Sequence, residues 1–166
     1  MAVIAFVPGV KNFLKDTFFP VASIENAVKL SDTDYDIELK GINTPNANLN
    51  QFKDKTLFLN FWGTWCPPCK AEWPSVEALY KAKKDKMSFV LIAMQDEEEN
   101  VRKFIKENNY TAPVYIAQSP ISEKVLPKAF PTTFIIAKNA QIVKKVDAKE
   151  DWMSQSNVSF IDAIVK

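Results

Sequence analysis

Cys66 and Cys69 are the only thiols in 166 residues, and they stand in the run Trp65-Cys66-Pro67-Pro68-Cys69-Lys70. Two thiols at this spacing can close a disulfide and reopen it, which is the chemistry of thiol–disulfide exchange. As a structural staple the pair would do little, because a loop closed over two residues removes little chain entropy. The apolar run Thr56-Leu57-Phe58-Leu59-Asn60-Phe61-Trp62 before them reads as a buried strand, and the stretch after them as a helix. Cys66 then falls at the helix start, where unpaired N–H groups and the positive dipole end favour its thiolate. Pro67 suits the first helical position, its missing donor harmless and its φ already helical. Since the thiolate is the nucleophile, Cys66 is expected to attack first.

The helix tells the two cysteines apart. From Cys69, apolar residues recur at Trp73, Val76, Leu79 and Tyr80, the spacing of a face turned to a core. Cys69 heads that stripe and is expected to be the shielded, resolving thiol, harder to ionise because it is buried. Glu72, at i+3 from Cys69, can approach it from the edge of the face and is a candidate proton acceptor. A solvated helix glutamate is the equal alternative. Lys70 could add positive charge beside the Cys66 thiolate, or be an ordinary surface lysine. Trp65 reads as a partly exposed platform next to the disulfide and Trp62 as core; Asp151-Trp152 receives no role.

The elements that must hold these residues follow from pattern. Ser88-Phe89-Val90-Leu91-Ile92-Ala93-Met94 is a second continuous apolar run, fitting a central parallel strand. Asp96 with Glu99 signals a helix start, and Val101, Phe104 and Ile105 give that helix its inner face. The strand–helix–strand order predicts right-handed crossovers. Asp36–Leu39 reads as a short strand, Gly41–Lys55 as loop, Val114–Ala117 as an edge strand and Ile121–Leu126 as a short helix. Thr132–Ala137 and Gln141–Val146 form a last strand pair, with Asn139 supplying the turn conformation. Phe160, Ile161, Ile164 and Val165 mark a C-terminal helix.

Composition narrows the function. Twenty-one basic against twenty acidic residues leave a net charge of +1, with no basic stripe of the kind nucleic-acid binding needs. The absence of histidine removes Ser-His and Cys-His dyads and His metal ligands. One Cys-x-x-Cys offers two zinc ligands where four are wanted, so neither a metal nor a cofactor is expected. Residues 1–30 form an apolar and amphipathic extension, and residues 31–166 one domain. The ten apolar residues at the start are too few to span a bilayer, which needs about 20. They read as the remnant of a membrane anchor or as a segment docked on the domain.

The residues from Phe58 to Pro74 resemble the active-site segment of the thioredoxin superfamily. Leu59-Asn60-Phe61-Trp62-Gly63-Thr64-Trp65-Cys66 is most similar to the membrane-tethered envelope reductases of the TlpA/ResA type. Pro74 matches the proline that kinks the active-site helix, and Glu72 the acidic residue placed near the buried cysteine. Phe130-Pro131-Thr132-Thr133 matches the segment whose proline is cis and faces the disulfide. The resemblance covers about residues 36–166. It implies a thioredoxin-like α/β sandwich, a central mixed sheet flanked by helices. It further implies a substrate groove of Trp65, Pro67, Phe130 and Pro131, in which the Phe130 backbone pairs with an extended substrate. Disulfide-bearing proteins would be the partners, an upstream membrane thiol donor would re-reduce the pair, and the site would face the periplasm.

Two departures matter. Asn60 stands where thioredoxins carry a buried aspartate, so any proton relay must use another group. No histidine is present to stabilise a thiolate as in the oxidant-type members, which tilts the expectation toward a reductant. A disulfide oxidase or isomerase of higher potential remains the alternative. A thiol-based metal-binding module is a weaker one. A peroxiredoxin is disfavoured, because the Pro and Thr that should precede its cysteine are Leu59 and Gly63 here.

Overall fold

The computed structural model describes residues 27–166. Seven strands among them make one sheet: β1 (Glu38–Gly41), β2 (Ala47–Asn48), β3 (Leu57–Trp62), β4 (Ser88–Ala93), β5 (Val114–Ala117), β6 (Thr132–Ile136) and β7 (Ile142–Val146). The α-helices are α1 (Pro67–Lys83), α2 (Glu98–Glu107) and α3 (Gln155–Ile164). Strand order is β2-β1-β5-β4-β3-β6-β7. The β3–β4 and β4–β5 pairs are parallel and the rest antiparallel, giving the mixed sheet that the thioredoxin-like reading requires.

The chain steps from β3 to β4 to β5 in one direction, so right-handed crossovers place α1 and α2 on the same face. α3 joins them there. Trp73, Val76 and Leu79 of α1, Val101 and Ile105 of α2 and Ile161 of α3 share one buried cluster with Phe58, Leu91 and Ile135 of the sheet. The opposite face, including Leu57, Leu59, Phe61, Val90 and Phe134, is covered by Leu30, Tyr35, Leu49 and Val125 from outside the α-helices. With both faces covered, every residue of β3 is buried, which explains an apolar run broken only by Asn60. Asn60 is the one polar residue in it, between Phe58 and Trp62 on the helix side. Residues 28–30 run beside the β6–β7 turn, Lys29 bridging to Gln141 and the Leu30 N–H donating to the Ala140 carbonyl at 2.9 Å.

Several expectations are corrected. β5 is not an edge strand: β1 pairs with it antiparallel, Leu39 opposite Ala117. The edges are instead the two-residue β2 and β7, whose Lys144 and Lys145 discourage further pairing. No helix forms near Ile121–Leu126. That connection makes a turn in which the Val125 N–H donates to the Ser122 carbonyl at 3.0 Å, with Val125 buried under the sheet and Ser122 and Lys124 bonded to Asp34. Its order comes from these neighbours, which a local pattern does not reveal. The stretch 41–55 contains β2 and a 3-10 turn, Leu49–Phe52, capped by Asn48, whose side chain accepts the Asn50 N–H at 3.0 Å. Ahead of β7 the positive φ, 65°, belongs to Ala140 rather than Asn139. Asn139 instead brackets the turn with its amide, accepting the Gln141 N–H at 3.2 Å and donating to Gln141 Oε1 at 2.7 Å. The first strand starts at Glu38, not Asp36.

No helix among the described residues is long and apolar enough to cross a membrane. The apolar start and the amphipathic stretch 11–19, read above as an anchor remnant or docked segment, lie outside the described residues.

Candidate active site

Cys66 is the N-cap of α1, delivered there by the end of β3. Its Sγ accepts the Cys69 N–H at 3.3 Å, and its carbonyl accepts the Lys70 N–H at 3.1 Å. Pro67 takes the first helical position, where no N–H is required. Cys66 and Cys69 are joined as a disulfide, with Cα atoms 5.2 Å apart. The two cysteines differ less in burial than the stripe implied: Cys66 is 4% exposed and Cys69 1%. Both belong to the cluster of Trp62 and Trp73, which pack edge to face at 4.8 Å. Lys70 is exposed.

The approach loop is held from the β4–α2 connection. Thr64 donates to both Asp96 carboxylate oxygens, through its N–H at 2.6 Å and its hydroxyl at 2.9 Å. Asp96 therefore serves the cysteine loop and not the start of α2, whose cap position is Glu97 without a side-chain bond. The Trp65 indole N–H reaches back to the Met94 carbonyl at 2.9 Å. Gly63 permits this, since a Cβ there would lie 2.4 Å from Trp65 Nε1. Folded back in this way, Trp65 stays 47% exposed and meets Phe130 edge-on at 5.2 Å. The Phe130–Pro131 peptide bond is cis. Pro131 is buried, Pro67 is exposed, and among the described residues no hydrogen bond engages the Phe130 N–H or carbonyl.

Glu72 is 3% exposed, which removes the solvated-glutamate reading. One carboxylate oxygen, Oε1, accepts the Trp152 indole N–H at 2.8 Å and the Glu150 backbone N–H at 3.2 Å. The other, Oε2, is touched by Asn60 Nδ2 at 3.5 Å, the same amide donating to Thr133 Oγ1 at 2.8 Å. Burial pushes the Glu72 carboxyl up to about 7, against the pull of the Trp152, Glu150 and Asn60 donors and helped by the Glu150 charge. A carboxyl held there exchanges a proton at neutral pH.

Sequence reasoning brought out both cysteines and Glu72, which lie within the first two turns of one helix. It passed over Trp152, Asn60 as a donor, and Asp96 as a loop clamp. Trp152 meets its partner across 80 residues and Asp96 across 32, so no local spacing could signal either. Among the described residues no group of three His, Cys, Asp or Glu side chains is placed to hold a metal ion.

The Redoxin family matches residues 26–159. The thioredoxin-like protein YneN of Bacillus subtilis (strain 168) is 33% identical over 110 residues, covering 64% of this chain and 65% of that protein. The thiol-disulfide oxidoreductase ResA of Geobacillus thermodenitrificans is 32% identical over 132 residues, 76% of each chain. In fold, a secreted Mycobacterium tuberculosis disulfide oxidoreductase homologous to E. coli DsbE matches with a TM-score of 0.66 at 22% identity, over 80% of this chain and 98% of that one.

Proposed function

The chain belongs to the Redoxin family, and on that footing we propose that it is a thiol–disulfide oxidoreductase that reduces disulfides of partner proteins outside the cytoplasm. The observation that carries the reading is the Cys66–Cys69 disulfide on the first turn of α1, with the buried Glu72 carboxyl one turn on.

In the reduced protein the Cys66 thiolate, at the positive end of α1, attacks one sulfur of the partner's disulfide. The partner's S–S bond breaks, a Cys66–partner bond forms, and the other partner sulfur leaves as a thiolate. Glu72 then takes the proton of the Cys69 thiol. The Cys69 thiolate attacks Cys66 Sγ, closes the disulfide and releases the second partner sulfur. Two electrons pass to the partner and the chain ends oxidised, so a thiol donor upstream must return them. Trp65, Pro67, Phe130 and Pro131 form the groove beside the pair. The exposed Trp65 face receives apolar substrate side chains, and the Phe130 backbone pairs with an extended substrate segment.

The direction of electron flow rests on a chain without histidine, which leaves no imidazolium to stabilise the thiolate as in the oxidant-type members. The envelope setting, with the site facing the periplasm, and tethering through residues 1–30 rest on the sequence resemblance. So does the membrane thiol donor.

A Cys69→Ser variant keeps the attack and removes the resolution. With insulin as the disulfide-bearing probe it should accumulate a mixed disulfide through Cys66, released by added dithiol, while Cys66→Ser traps none. Equal trapping by both variants, or none by Cys69→Ser, overturns the assigned order.

A further inference from the structure

Resting on the reading of Glu72 as proton acceptor, we propose that Trp152 is a positioning residue of the exchange reaction: its indole N–H holds Glu72 Oε1, leaving Oε2 to take the Cys69 proton.

The asymmetry of the two carboxylate oxygens argues for this. Oε1 receives two donors, Trp152 Nε1 at 2.8 Å and the Glu150 N–H at 3.2 Å, and its lone pairs are committed. Oε2 has only Asn60 Nδ2 at 3.5 Å, at the limit of a hydrogen bond, the shorter bond of that amide going to Thr133 Oγ1 at 2.8 Å. A proton arriving from Cys69 therefore finds its free lone pair on Oε2. Trp152 is itself fixed for the task. Its ring is fully buried and meets Phe58 edge-on at 4.9 Å. Its own N–H donates to Ser75 Oγ at 3.2 Å, and that hydroxyl donates to the Glu72 carbonyl at 2.9 Å. Backbone and side chain of Trp152 thus grip the same turn of α1. Packing alone would be served by any aromatic ring; an indole aimed at a buried carboxylate adds a charge-assisted donor.

The charged and titratable groups around Glu72 are few. Cys69 lies on its own helix, β3 and β6 contribute only neutral Asn60 and Thr133, and the segment before α3 contributes the Glu150 carboxylate. Lys144 of β7 sits over the indole ring at 5.7 Å. Losing the Trp152 donor favours the protonated carboxyl, so Glu72 would accept its proton only at higher pH.

The test follows reduced protein reacting with dithiobis(nitrobenzoate), whose first thionitrobenzoate reports attack by Cys66 and whose second reports resolution by Cys69. Wild type should show a resolution rate that rises with pH through about 7, the position of Glu72. Trp152→Phe keeps the ring and should move that rise up by about one pH unit, slowing resolution up to about tenfold at neutral pH. The slowing should disappear in alkali, and the first phase should be unchanged. Replacing Trp152 by benzothienylalanine, an indole isostere without the donor, should give the same shift even where phenylalanine fails to support the fold. Glu72→Gln, run in parallel, should abolish the rise. An unmoved rise in the Trp152 variants, with Glu72→Gln abolishing it, makes Trp152 a packing residue only and overturns the proposal alone. A rise that survives Glu72→Gln removes the Glu72 reading and this proposal with it.

Discussion

Glu72 is a carboxyl whose ionisation works against folding, and that gives it a signature separate from catalysis. Burial raises it from an ordinary 4.5 to about 7. Below 4.5 it is neutral in both folded and unfolded chains and the fold bears no penalty. As pH rises from there to about 7 the unfolded chain gains by ionising first, and stability falls, levelling off once both states are charged. Glu72→Gln removes that charge. Urea unfolding of the oxidised protein should therefore show the variant more stable than wild type above neutrality, by up to about 3 kcal/mol, with the difference vanishing in acid. A variant less stable at every pH would mean that the Trp152 and Glu150 donors outweigh the burial they act against. The legible part of the site is the part that is local. Cys66, Cys69 and Glu72 announce themselves by i+3 spacings on one helix, whereas the indole and the amide that serve Glu72 come from other elements.

α1 carries the site, and it is fastened along its length. Cys66 caps its start, Asp96 holds the loop before it, and further along Glu77 ties it to the entry of β5. Glu77 is 5% exposed and accepts the Thr111 N–H at 2.9 and 3.0 Å, the Thr111 hydroxyl at 2.6 Å and the Ala112 N–H at 2.9 Å. Those donors, with Lys81 beside them, hold its carboxyl below the usual range despite the burial. Glu77→Ala strands them and should cost about 2–4 kcal/mol in urea unfolding at neutral pH, while leaving the reduction potential of the cysteine pair unmoved. The wild-type advantage should fade in acid, because a carboxyl held low contributes its stability above its ordinary range and loses it as pH falls. A shifted potential would mean that Glu77 reaches the site. Elements dictated by their own composition were readable in the sequence: β3 and β4 as predominantly apolar runs, α1 and α2 by helical stripes. Those dictated by their neighbours were not. β5 looks like an edge until β1 folds onto it, and the chain around Val125 looks helical until its bonds to Asp34 are seen.

The described residues make a mixed sheet with the α-helices on one face and a disulfide where β3 meets the first of them. At that junction lie a cysteine that caps the helix, its covered disulfide partner and a buried carboxyl near neutrality, with an exposed tryptophan alongside. None of this geometry sets which way electrons move, since reductants and oxidants share it, and the direction proposed here follows from residues that are absent. The reduction potential of the Cys66–Cys69 pair decides it, read by tryptophan fluorescence during equilibration against a series of thiol/disulfide buffers. A reductant should lie near or below the thioredoxin value of about −270 mV. A potential well above it, toward the isomerase at about −180 mV or the strong oxidant at about −120 mV, would reverse the direction of electron flow proposed for this protein.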